Sequence, residues 1–143
     1  PAYMLVPILF KEEMHMKIGE YFDDYEFACH CDRHGVDAEG HPILDHVIDK
    51  RLVDVLDRIR ERLGVPIIVN SGYRCPEHNA EVGGVSDSQH VLGTAADITY
   101  DGVDVDYLAE IAEECGADGI GKYYYQDFVH IDVRGYAARW DDL

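Results

Sequence analysis

Basic residues are scarce in this chain: 12 Lys and Arg stand against 29 Asp and Glu, for a net charge of −17. A surface so negative repels polyanions, so nucleic acid and anionic membranes are excluded as partners. Long hydrophobic runs are also missing, and no stretch reaches the length of a membrane span. The apolar opening PAYMLVPILF is broken by two prolines and followed by KEEMH. It lacks the charged start and small-residue cleavage site of a signal peptide, and reads as a packing arm within residues 1–20. Repeats and low-complexity tracts are absent. A chain of 143 residues with 47% hydrophobic residues is expected to form one globular domain, 1–143, and a monomer.

Cysteine is limited to Cys29, Cys31, Cys75 and Cys115. Cys115 ends a helical pattern and reads as a small buried hydrophobe. Cys29 and Cys31 stand in CHCDRH, beside His30 and His34. Their spacing is CxC, and no second pair matches it. Reduced thiols are the default without an export signal. A second metal site borrowing Cys75, and a disulfide to Cys75 in an exported protein, are the two alternatives.

Apolar residues recur at three- and four-residue spacing from Leu44 to Leu63, which predicts an amphipathic helix ended by Gly64. His46 falls on its exposed side. Val65–Val69 reads as a short strand restricted by Pro66. The segment from Cys75 to Gln89 has no periodicity and reads as a long irregular loop. HVLGTAADITY reads as a strand of small residues. Asp104 caps a second helix running to Cys115. GADGIGKYYYQ and FVHIDVRG read as two strands joined near Tyr125–Asp127, and Trp140 as a late packing anchor. The tyrosine run Tyr123–Tyr125 is read as sheet packing ahead of a cleft wall. This order predicts an α+β domain with a small, mostly antiparallel sheet and flanking helices.

Chemistry concentrates in two stretches, SGYRCPEHNAEVGGVSDSQHVLGTAAD (Ser71–Asp97) and FVHIDVRG (Phe128–Gly135). His90 and Asp97 lie seven positions apart, across a run of small residues that permits close approach. On a strand, His130 and Asp132 share one face with Phe128, and polar side chains there are costly to bury without a purpose. Two imidazoles and one carboxylate match the three-ligand set of a catalytic zinc site, which keeps a fourth position open. The competing reading is a loop hydrogen bond for His90, a turn cap for Asp97 and solvent for His130 and Asp132.

The combination SGYR, SxHxxGxAxD (Ser88–Asp97) and FVHID resembles the zinc D-alanyl-D-alanine carboxypeptidase superfamily. That group includes vancomycin-resistance D,D-dipeptidases, phage endolysin peptidases and the hedgehog signalling domain. EFACHC near Glu26–Cys31 and VRG…RW near Val133–Trp140 extend the resemblance from about Phe22 to Trp140. It implies a hedgehog-like peptidase fold, with His90, Asp97 and His130 as zinc ligands. It also implies Arg74 as the cation beside the developing oxyanion or the substrate carboxylate. Ser88 and Gln89 are candidates for shaping the substrate groove.

The general base departs from better-known relatives, which place a Glu three positions, or a His two positions, before the last ligand. Asp127 and Phe128 occupy those positions here. Asp132 is preferred slightly, as base or as a residue orienting a ligand, and Asp127 is its rival, needing a bend to reach the metal. The implied activity is zinc-dependent hydrolysis of peptidoglycan stem peptides, as carboxypeptidase or endopeptidase, by a phage or prophage lysin or an exported bacterial enzyme. The rivals are a non-catalytic zinc-binding domain of the same fold and a metal-free acidic binding module.

Overall fold

A computed structural model describes residues 16–143. The N-terminal arm expected over residues 1–20 falls mostly outside this range. Five strands form one sheet in the order β1-β2-β4-β3-β5: β1 Ile68–Ser71, β2 Ala95–Thr99, β3 Gly119–Tyr123, β4 Phe128–Asp132 and β5 Ala138–Asp141. All neighbours are antiparallel except β3 and β5, which run parallel. The helices are α1 Lys50–Leu63, α2 Pro76–Glu81, α3 Gln89–Leu92 and α4 Val105–Glu114. The expected α+β fold with a mostly antiparallel sheet is present.

Strand alternation divides the sheet into two chemically distinct faces. Ala96, Ile98, Ile120, Val129 and Ile131 are fully or almost fully buried and join Leu52, Leu56 and Ile59 of α1 and Leu108 and Ile111 of α4 in one core. The opposite face carries one row of cross-strand neighbours. Ser71 pairs with Asp97, Asp97 with His130, His130 with Gly121, and Gly121 with Trp140. One residue from each strand therefore stands in line across the sheet. The core face fixes the register, because a slip of one residue would turn every polar member of the row into the core.

Several boundaries differ from the sequence expectation. The first helix starts at Lys50, not Leu44, with Asp49 as its N-cap accepting from the Arg51 amide at 2.8 Å. Leu44 and Ile48 still pack on the core, but from non-helical chain, and Val47 is 81% exposed. The Asp49 amide donates to the Gly93 carbonyl at 2.9 Å, so this segment lies against the end of α3. His46 is therefore not helical; it stacks on Tyr73 with ring centroids 4.2 Å apart. The first strand begins at Ile68, beyond Pro66, and takes in Asn70 and Ser71, which read as turn residues in sequence. Helix α2 interrupts the segment expected to be irregular, and α3 begins at that segment's last residue and occupies the start of the stretch expected to be a strand.

Gly64 in the left-handed region ends α1, and Asp104 caps α4 through the Tyr107 amide, both as expected. Cys115 is buried in the core, also as expected. The β3–β4 turn falls at the expected place, with Asp127 at φ 56°. No helix among the described residues is long and apolar enough to cross a membrane.

Candidate metal centre

His90 sits on α3, not on a strand. Ser88 caps this four-residue helix by accepting from the His90 amide at 3.2 Å, and Gly93 at φ 76° ends it. His90 is 2% exposed, and its Nδ1 lies 2.8 Å from the Gly72 carbonyl oxygen. A carbonyl only accepts, so Nδ1 carries the proton and Nε2 presents a lone pair. That Nε2 lies 3.2 Å from Asp97 Oδ1. From β4, His130 Nδ1 reaches the same Oδ1 at 3.1 Å. The ligand atoms of His90, Asp97 and His130 all lie within 4.8 Å of one another. Bonds of about 2.0–2.1 Å to zinc place tetrahedral ligand atoms roughly 3.3 Å apart, so the spacing fits such an ion. Burial pushes the Asp97 carboxyl up, but its close contacts with the His130 and His90 imidazoles overcome it and hold the group below the usual carboxylate range.

Asp132 lies behind His130. It is fully buried, and its Oδ2 is 2.8 Å from His130 Nε2. Arg134 binds it in a fork, Nε to Oδ1 at 2.9 Å and a terminal nitrogen to Oδ2 at 2.6 Å. The amides of Gly119 and Arg134 also donate to Oδ1. Burial raises the Asp132 pKa, yet the bonds from His130 and Arg134 carry it below the usual range. The carboxylate fixes His130 so that Nδ1 faces Asp97, in the manner of carboxylates that orient metal-binding histidines.

Two glycines of β3 make room for this arrangement. A Cβ on Gly119 would stand 2.2 Å from Asp132 Oδ2, and one on Gly121 would stand 2.3 Å from Trp140 Nε1. The Trp140 ring lies 5.0 Å from that of His130, and its Nε1–H donates to the Tyr123 hydroxyl at 2.9 Å. Trp140 is therefore part of the site wall as well as a packing anchor. The sequence signal for this space is Gly-x-Gly inside a strand.

A cavity of about 590 Å³ opens over His90, Asp97 and His130. Arg74, Ser88 and Gln89 line it, as do Tyr123, Phe128, Arg134 and Trp140. The Arg74 amide donates to the His90 carbonyl at 3.2 Å, which ties the arginine segment to the ligand helix. Its Nε is buried without a hydrogen-bond partner, and among the described residues its guanidinium has no acidic partner. Ser88 is engaged in its cap, and Gln89 Oε1 accepts from Thr94 at 2.8 Å. Neither Asp132 nor Asp127 lines the cavity; Asp127 stands in the exposed β3–β4 turn. Among the described residues, the carboxylates that do line it are Asp97 and Asp87. A second concavity of about 550 Å³ between α4 and β5 is lined by Glu110, Glu113, Lys122 and Arg139 among others, and contains none of the clustered ligand residues.

The family model for peptidase M15 matches residues 20–132, the span that contains His90, Asp97, His130 and Asp132. The chain belongs to the M15 peptidase family. This M15 member is also 35% identical over 100 residues to the peptidoglycan L,D-endopeptidase MepK of Escherichia coli K12, with the same figures for those of E. coli O157:H7 and Shigella flexneri. The alignment covers 65% of the M15 chain and 54% of each relative, so the chain spans about half the length of the curated relatives it matches. The matched span includes the motifs that meet at the cavity: SGYR supplies Arg74, SxHxxGxAxD supplies His90 and Asp97, and FVHID supplies His130, with Asp132 behind it.

Proposed function

We propose that the chain is a zinc-dependent peptidoglycan endopeptidase, cutting an L,D bond within the stem peptide at the cell wall. The observation that carries this reading is Asp97 Oδ1 set between two imidazole nitrogens, at 3.2 and 3.1 Å, in a cavity that Arg74 also lines. Membership of the M15 family and similarity to an L,D-endopeptidase support the reaction class and the bond.

His90, Asp97 and His130 would hold the zinc, which when bound supplies Lewis-acid polarisation and a water of lowered pKa. Arg74 supplies the counter-charge where the carbonyl oxygen becomes negative, and among the described residues no acid is paired with it. Asp132 orients His130 and takes no part in proton transfer, because its oxygens are occupied and it does not reach the cavity. Proton transfer is assigned to Asp87, the carboxylate other than Asp97 on the cavity wall. Tyr123, Phe128 and Trp140 offer flat apolar surface to the stem peptide.

Arg74→Ala is expected to lower kcat by about 10²-fold with metal content unchanged, the loss typical of removing one oxyanion donor. A full kcat in that variant removes Arg74 from the chemistry. Asp87→Asn is expected to cost about 10²-fold in kcat, with KM moved far less; an unchanged pH–rate profile assigns the proton to another group. The activity itself is tested by digesting purified peptidoglycan with the zinc-loaded protein and sequencing the released muropeptides by mass spectrometry. Products ending at an L residue before a D residue are expected. Release of terminal D-alanine alone would make it a carboxypeptidase instead.

A further inference from the structure

A second set of ligand-grade side chains lies apart from the cavity. Cys29 and Cys31 follow the 3-10 turn Asp24–Phe27, His34 stands in the loop beyond, and Cys75 caps α2. The sulfur atoms form a nearly equilateral triangle: Cys29 to Cys31 is 3.5 Å, and each lies 3.7 Å from Cys75. Metal–sulfur bonds of about 2.3 Å place tetrahedral thiolates roughly 3.8 Å apart, so the triangle has the dimensions of one face of such a site. A disulfide would join two sulfurs and leave the third without a partner.

His34 completes the set. Its ligand atom and the three sulfurs all lie within 4.8 Å of one another. Its Nδ1 is hydrogen-bonded to the Asp45 carboxylate, which can only accept, so the proton sits there. Nε2 then presents a lone pair, and it is buried with no hydrogen-bond partner. A carboxylate behind one imidazole nitrogen and an unfilled lone pair on the other is the usual dressing of a metal-binding histidine. Two backbone amides point at the sulfurs: Cys75 N–H toward Cys29 and His78 N–H toward Cys75, both at 3.4 Å.

We propose that Cys29, Cys31, Cys75 and His34 bind a structural zinc ion through three thiolates and His34 Nε2. The thiol protons leave to solvent as the metal binds. Four protein ligands close the coordination shell, which sets this site apart from a catalytic one. Its effect is positional. Cys75 directly follows Arg74, and the Tyr73 amide donates to the Phe27 carbonyl at 2.8 Å. The ion ties the 3-10 turn, the loop and the start of α2 into one unit that holds the Arg74 segment beside the candidate catalytic centre.

The site is tested on the full chain, produced with zinc under reducing conditions, by metal analysis, native thiol titration and intact mass. Two zinc ions per chain are expected. His90→Ala should keep one zinc, with Cys29, Cys31 and Cys75 protected from the thiol reagent until a strong chelator is added. Cobalt exchanged into His90→Ala should give thiolate-to-cobalt charge-transfer absorption, and adding Cys75→Ser should abolish it. The His90→Ala measurements stand even if the cysteine variant fails to fold, and they do not depend on hydrolysis. A His90→Ala protein with no zinc and three freely reactive thiols would overturn the proposal, as would an intact mass lower by two hydrogens, the mark of a disulfide.

Discussion

Asp97→Ala is expected to strip the metal from the His90–Asp97–His130 centre and to lower kcat/KM by at least ~10³-fold, because a ligand of the reactive ion is lost. Asp97 is the hinge of the arrangement: one oxygen meets both imidazoles, at 3.2 and 3.1 Å. Removing it leaves two histidine nitrogens facing each other with no negative charge between them. Metal analysis and peptidoglycan turnover check this together, and a variant that keeps its full complement of metal would refute the ligand role.

The same substitution has a signature in the metal-free protein. The folded-state pKa of Asp97 is depressed, so its stabilising effect is present above the ordinary carboxylate range, near pH 4, and is lost as pH falls through the folded value. Burial lowers the His130 pKa, but hydrogen bonds that the imidazolium donates to the Asp132 and Asp97 carboxylates more than offset it, and the net shift is upward. Its contribution is complete below about pH 6.5 and is lost as pH rises through the raised value. The difference in melting temperature between wild type and Asp97→Ala should therefore be greatest in weakly acidic buffer and shrink in both directions. A difference that is flat with pH would show that the Asp97–histidine bonds contribute nothing to the folded state.

Asp132→Asn is the second large effect. Asp132 is fully buried and forked by Arg134, whose side chain is 19% exposed. Removing one partner of a buried pair costs about 3–5 kcal/mol, since the other charge remains uncompensated. The loss should appear as a lowered denaturation midpoint. Metal affinity should fall about 10–100-fold, the usual range for a residue that orients a ligand. At saturating zinc, folded variant should recover most of its kcat, because Asp132 is assigned no proton-transfer step. A variant that binds zinc at full stoichiometry yet turns over ~10³-fold more slowly would instead make Asp132 the base.

The motif residues were legible because their chemistry is carried by residue type and spacing. His90, Asp97, His130 and Arg74 come together at one cavity from stretches more than thirty positions apart, with Asp132 behind His130. Helix α4 was legible through its cap and apolar face, and the β3–β4 turn through its polar residues. The start of α1 was not. Leu44 and Ile48 keep helical spacing with Leu52 while packing from non-helical chain, so periodicity alone could not separate the two. Helix α3 is four residues long and has no period to read, although Ser88 two positions before His90 is the capping signal that marks it.

Strand β5 was hidden for a different reason. Its residues alternate between half-buried and exposed, and its parallel pairing with β3 is a long-range choice that no local pattern encodes. The role of Arg134 was hidden too. Only the fold shows that its guanidinium turns back on Asp132 two residues earlier, and that Gly119 leaves the space in which the carboxylate sits.

Anomalous diffraction at the zinc edge from crystals of the zinc-loaded protein would place the metal without reference to activity. The expected result is a peak bonded to His90 Nε2, Asp97 Oδ1 and His130 Nδ1, at bond lengths of about 2.0–2.2 Å, with the fourth position open to the cavity. No peak among these three side chains in crystals grown with saturating zinc would contradict a zinc peptidase centre in this chain.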